Sequence, residues 1–167
     1  SRIGIRMLIG QYLDFDNDDP DYVGLISVNT SPVKVAKQAI DHATYMCTRE
    51  FGDAPSVSIR GRKDLTFAYV PSHLYYMLFE LLKNSMRATC VTHMQENDMF
   101  DKELPDINIV IADGEENDDV VVKISDEGGG IRRSHVGRIF RYLFTTARDE
   151  PTALEDANSD FGVEGPL

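Results

Sequence analysis

Three scarcities bound this chain before any motif is read. Cysteine occurs only twice in 167 residues, as Cys47 and Cys90. Each falls within a helical pattern, so the pair reads as buried free thiols rather than as a disulfide, which fits a reducing compartment. Positive charge is the second shortage. Seventeen Lys and Arg stand against 28 Asp and Glu, a formal net charge of −11. A nucleic-acid binder needs a basic field, and this composition disfavours one. The third is the long apolar run: charged or polar residues break every candidate short of the roughly 20 residues that cross a bilayer as a helix. What remains is an ordinary globular composition, 42% hydrophobic, long enough for one domain with a sizeable core. The acid gathers at Asp14 to Asp21, Glu115 to Asp119 and Asp149 to Glu164, runs that read as solvated loops.

Periodicity gives the organisation. Ile5, Leu8, Ile9 and Leu13 recur at helical spacing, and the Asp-rich segment to Asp21 reads as a loop. The next helix is better delimited, with Ser31 as N-cap, Pro32 at its first position and Gly52 as its stop; Val35, Ala36, Ala39, Ile40, Ala43 and Cys47 form its apolar side, expected to pack on a sheet. Two strands, around Val57 to Ile59 and Thr66 to Val70, flank a polar turn. A long helix should start at Pro71 and end near Met94, with Leu74, Met77, Leu78, Leu81, Leu82 and Ser85 inward. Ile107, Ile109 and Ile111 alternate with other residues, and Val120 to Ser125 return as a second strand, which makes a hairpin. A last amphipathic helix is expected over 134–144, with Val136, Ile139, Phe140 and Leu143 inward, and residues 145–167 carry no periodicity. The fold class is α+β, helices on one face of a mixed sheet.

Two segments carry chemistry. Four residues separate Glu80 from Asn84 and three separate Asn84 from Arg87, so on a helix the carboxylate, amide and guanidinium share a face. An amide oxygen is a neutral hard ligand for Mg²⁺, which takes few protein ligands, while Lys83 and Arg87 can meet phosphate oxygens. A plainer reading pairs Glu80 with Lys83 or Asn84 on the surface. The second segment is Ser125-Asp126-Glu127-Gly128-Gly129-Gly130-Ile131 at the exit of the hairpin. Asp126 can accept a hydrogen bond from an exocyclic amine, and the glycines let the backbone turn sharply beside a ligand; the plainer reading is an ordinary turn. Arg132, Arg133, Arg138, Arg141 and Arg148 form a locally basic patch, equally consistent with a solvated helix face and with phosphate or partner contact.

These segments resemble the N box and first glycine box of the ATPases that unite histidine kinases, gyrases, heat-shock chaperones and mismatch-repair proteins. With Ser1 to Ile9, Glu80 to Thr89, Asp126 to Ile131 and Leu143 to Arg148 taken together, the chain is similar over nearly its whole length to the mitochondrial protein kinases of 2-oxoacid dehydrogenase complexes. That resemblance implies the histidine-kinase-like α/β sandwich with its left-handed crossover over residues 29–167, incomplete at its C-terminus, and over 1–28 the end of a helical bundle with its linker. It implies ATP and Mg²⁺ as cofactors: Asn84 on the metal; Glu80, Lys83, Asn84, Arg87, Asp126, Gly128, Gly130, Thr145 and Thr146 around the nucleotide; Asp126 selecting adenine; and Glu80 as catalytic base. The implied activity is serine phosphorylation that inactivates the E1 α subunit of the pyruvate dehydrogenase complex, with the branched-chain 2-oxoacid dehydrogenase as the alternative substrate. The lipoyl domain of E2 is the implied docking partner, a homodimer the implied assembly of the full-length protein, and the mitochondrial matrix its place.

The chain departs from the family pattern in three ways. Animal members carry a histidine one turn before the glutamate, whereas Tyr76 stands here and His73 lies seven residues before Glu80. Tyr12 follows Gln11 where a histidine is common, which excludes a phosphohistidine relay through that position. Phe161 to Gly165 lacks the dense spacing of a second glycine box, so the chain reads as a fragment. The rival from another class is a catalytically dead interaction module of the same fold.

Overall fold

The computed structural model describes residues 2–13, 20–94, 103–114 and 119–140. They fall into two compact units, Ser1–Gly130 and Ile131–Leu167.

The first unit begins with helix α1, Arg2–Leu13. Its Gln11 side chain braces the following turn: Nε2 donates to the Val23 carbonyl and Oε1 accepts from the Leu25 N–H, each at 3.0 Å. The braced segment is strand β1, Tyr22–Val23, paired antiparallel with β2, Ile26–Thr30.

Helix α2, Pro32–Phe51, follows the expected rules at both ends. Ser31 Oγ accepts from the Lys34 N–H, Pro32 opens the first turn, and Gly52, at φ 83°, sends its N–H to the Thr48 carbonyl. Strand β3, Val57–Gly61, leads to β4, Phe67–Tyr69, and then to α3, Pro71–Met94. β3 and β4 do not pair with each other. Arg62 bridges Asp64 and Asp113 where the chain leaves β3, and β4 joins β2 to complete the small sheet β1-β2-β4.

The main sheet is β3-β5-β6, with β5 spanning Ile107–Asp113 and β6 Val120–Ser125. β3 runs parallel to β5, Val57 opposite Ile107 through Gly61 opposite Ile111, and β5 runs antiparallel to β6. The sheet is therefore mixed. Ile107, Ile109 and Ile111 point to one face, fully buried in a core with Leu74, Leu78, Leu82 and Met86 of α3 and Ala36, Ala39 and Ala43 of α2. The three alanines let α2 lie close to α3.

The buried stripe of α3 is narrower than its hydrophobicity suggested. Met77 and Leu81, expected inside, are 47% and 53% exposed. Leu74, Leu78, Leu82, Met86 and Cys90 repeat every four residues and fill the seam against α2 and the sheet, with Tyr75 and Phe79 partly buried beside them. Thr89, buried beside them, satisfies its hydroxyl on the Ser85 carbonyl at 2.9 Å. Cys47 and Cys90 are free and buried as expected, their Sγ atoms 3.5 Å apart across the α2–α3 contact. Burial pushes both thiols up, Cys90 to about 12, so each stays protonated at neutral pH.

The second unit is described only to residue 140. Among its described residues the one helix, α4, Arg133–Val136, is a single turn with no buried residue, and Val136, Ile139 and Phe140 are exposed, the last at 95%. The longer helix expected over 134–144 with these side chains inward is not formed in the described part. Arg132 at the N-cap supplies no capping bond, and Gly137 ends the turn.

Candidate functional site

Along α3, residues four apart form one ridge of the helix surface. Glu80, Asn84, Ala88 and Thr92 occupy such a ridge, in the order carboxylate, amide, methyl, hydroxyl. At a rise of about 1.5 Å per residue, Asn84 and Thr92 stand roughly 12 Å apart along the axis. Glu80 and Asn84 are exposed, and Lys83 and Arg87 beside them are half-buried.

Lys83 Nζ lies 2.7 Å from Glu80 Oε1 and 5.3 Å over the Phe79 ring. The plainer reading of Glu80 thus has a physical basis, since its carboxylate is held by a neighbour one turn on. An exposed pair of this kind is worth about 0.2–1 kcal/mol, so Lys83 can exchange the carboxylate for a phosphate oxygen at little cost.

The glycine turn leaves β6 at Asp126. Asp126 Oδ1 accepts from the Gly128 N–H at 3.0 Å, an Asx turn that fixes the carboxylate while the residue remains exposed. The turn rests on α3 where the ridge is lowest. A Cβ added to Gly128 would lie 2.5 Å from Ala88 Cβ and 2.9 Å from the Ala88 carbonyl carbon, so glycine there and alanine opposite together permit the approach. Gly129 and Gly130 follow at φ 79° and 72°, in the left-handed region that glycine favours.

The structure therefore brings Glu80, Lys83, Asn84 and Arg87 onto one helix and seats Asp126, Gly128 and Gly130 in a turn against the same helix further along. Thr145 and Thr146 lie outside the described residues. Two side chains unremarked in the sequence also meet the turn: Thr92 Oγ1 donates to the Gly128 carbonyl, and His93 Nε2 bonds the Glu127 carbonyl, each at 3.0 Å. Their partners are backbone atoms more than thirty residues away, a pairing no local pattern announces. For Thr92 the signal present in the sequence was the ridge itself, continued two steps beyond Asn84.

The arrangement suits an elongated polyanion with a base at one end. The family model described as histidine kinase-, DNA gyrase B- and HSP90-like ATPase matches residues 69–163, which takes in α3, the main hairpin and the glycine turn. The chain belongs to this ATPase family. As an ATPase-family domain it binds nucleotide, and its α+β fold with a mixed sheet is the one expected.

Among curated proteins, the chain is 48% identical over 151 residues to the mitochondrial [pyruvate dehydrogenase (acetyl-transferring)] kinase of Arabidopsis thaliana, an overlap of 89% of this chain and 40% of that protein. To the kinase of the same name from Schizosaccharomyces pombe it is 40% identical over 173 residues, covering 99% of this chain and 39% of the other. The Drosophila melanogaster kinase gives 37% over 158 residues, 88% and 37%. This ATPase domain thus spans about two fifths of the length of the curated relatives it matches.

Proposed function

We propose that the chain is the nucleotide-binding part of a mitochondrial protein serine kinase that uses Mg·ATP to phosphorylate, and so inactivate, the E1 α subunit of the pyruvate dehydrogenase complex. The observation that carries this reading is the single helix on which a carboxylate, a cation, an amide and a second cation follow in order, beside a glycine turn that opens on an exposed carboxylate. The names of the relatives support the substrate. The lipoyl domain of E2 as docking partner, a homodimer, the matrix as location, and α1 as the end of a preceding helical domain belong to the same proposal.

Among the described residues no three His, Cys, Asp or Glu side chains gather to hold a metal. A single side-chain amide on α3 fits Mg²⁺, which usually needs one or two protein ligands beside substrate phosphates and water. Asn84, exposed on α3, would be its ligand, and the ion supplies charge neutralisation at the phosphates when bound. Lys83 and Arg87 hold phosphate oxygens, and Asp126 accepts from the adenine amine. Glu80 orients the substrate serine and takes its proton as the hydroxyl oxygen bonds the γ-phosphorus and the bond to the β-phosphate oxygen breaks. Most of the rate enhancement in such chemistry comes from positioning and electrostatics.

Two measurements test the proposal. Asp126→Asn keeps the shape but turns one acceptor oxygen into a donor, which costs roughly 1–3 kcal/mol where a pair is left unsatisfied. ATP affinity measured by calorimetry should fall more than GTP affinity, and equal losses would remove the base-reading role. In the second, the full-length protein is offered the first components of the pyruvate and the branched-chain 2-oxoacid dehydrogenases in one assay. Phosphate should enter the pyruvate enzyme's α subunit. Preferential labelling of the branched-chain enzyme would reassign the substrate, and labelling of neither, with ATP still bound, would make the chain a non-catalytic module.

A further inference from the structure

The roles assigned above leave the last turn of α3 idle, yet that turn holds the glycine segment in place. Thr92 and His93, successive on the helix, bond successive carbonyls of the turn, Gly128 and Glu127. A carbonyl only accepts, so His93 Nε2 carries its proton in this bond, whether the ring is the neutral Nε2–H tautomer or the imidazolium. Gly128 is thereby held at both of its main-chain polar groups. Its carbonyl is fixed to the helix through Thr92, and its N–H is fixed to the Asp126 carboxylate. A continuous chain of bonds runs from α3 through Gly128 to the one carboxylate oxygen that the Asx turn occupies. Ala88 closes the third side by contact with Gly128.

Three consecutive glycines otherwise give the chain its greatest conformational freedom. A carboxylate at the head of such a segment would have to be ordered at the moment of binding, at an entropic cost. We infer that Thr92 and His93 are positioning residues for nucleotide recognition: they anchor the glycine turn to α3 so that the Asp126 carboxylate keeps one fixed spacing from the Glu80–Asn84 end of the same helix. The inference rests on the nucleotide-site reading above. Its consequence is selective, because the anchors serve the base-reading end and leave the phosphate-reading end untouched.

The experiment uses the full-length protein and titrates Mg·ATP and Mg·GTP. The double variant Thr92→Val/His93→Phe keeps side-chain bulk and removes both donors. The partner variant Thr92→Ser/His93→Gln keeps a donor at each position. With two hydrogen bonds lost, the first should bind ATP roughly tenfold more weakly, with its preference for ATP over GTP reduced, while the second stays within about threefold of the native protein on both counts. Thr92→Val alone, milder for folding, should show the same selective loss at smaller size, and thermal melting reports whether each variant is folded. Native ATP affinity in the folded double variant overturns the inference, as does an equal loss for ATP and GTP, or a loss in the donor-retaining variant as large as in the other. Asp126→Asn separates the two levels. If it leaves the nucleotide preference unchanged, the base-reading role itself has failed; if it lowers the preference and the folded anchor variants do not, only the anchors have.

Discussion

Replacing Asn84 by alanine should lower phosphoryl transfer by roughly 10²–10³-fold or more, the scale of losing one group aimed at developing charge, and should leave the fold intact. Both halves of that expectation come from position. Asn84 lies exposed near the middle of a 24-residue helix, so its truncation opens no cavity. Alanine is the better helix former, by up to about 0.7 kcal/mol, so stability should hold or rise slightly. The functional loss has a different origin. Without the amide oxygen, Mg²⁺ is short of its proposed protein ligand on α3, and the triphosphate loses its registration against Glu80. Initial rates over a magnesium series, taken with a melting curve, decide the matter. Near-normal turnover at saturating Mg²⁺ would make Asn84 an ordinary surface amide.

Glu80→Gln is expected to slow transfer by roughly 10²–10⁴-fold, the usual worth of a general base. Glutamine keeps the length and shape of the side chain and cannot take the serine proton at neutral pH. It also dissolves the ion pair with Lys83, whose partners are both substantially exposed, a loss of no more than about 1 kcal/mol. Lys83 is then free for phosphate, so ATP affinity should hold or rise a little even as the chemical step fails. Single-turnover kinetics, which separate binding from chemistry, should place the whole loss in the transfer step. A variant that transfers phosphate at the native rate would remove Glu80 from the mechanism.

What the sequence made legible was local. Ser31, Pro32 and Gly52 delimit α2 because capping and left-handed termination act within a few residues, and the alternation of Ile107, Ile109 and Ile111 declares its buried face because strand side chains alternate strictly. The placement of Glu80 and Asn84 on one helix was readable for the same reason: one helical turn joins them. The small sheet β1-β2-β4 was not readable, since β1 has two residues and its brace, Gln11, acts across 12 to 14 positions. The width of the apolar seam on α3 was misjudged because Met77 and Leu81 are hydrophobic enough to be inward, and only the packing of α2 shows that the seam stops short of them. The parallel partner of β3 lies some fifty residues on, beyond any local signal. The anchoring of the glycine turn by Thr92 and His93 was hidden by the same distance, for its acceptors are main-chain atoms that no side-chain pattern encodes.

The most direct test concerns the product. The full-length protein, given γ-labelled Mg·ATP and the first component of the pyruvate dehydrogenase complex, should place label on the α subunit in an acid-stable form, as a serine ester is, because a carboxylate at Glu80 serves a hydroxyl that must shed its proton as it attacks. A neutral histidine nitrogen already presents a lone pair and needs such a base much less. Label that is acid-labile and alkali-stable would contradict the serine-kinase assignment and put a phosphohistidine in its place.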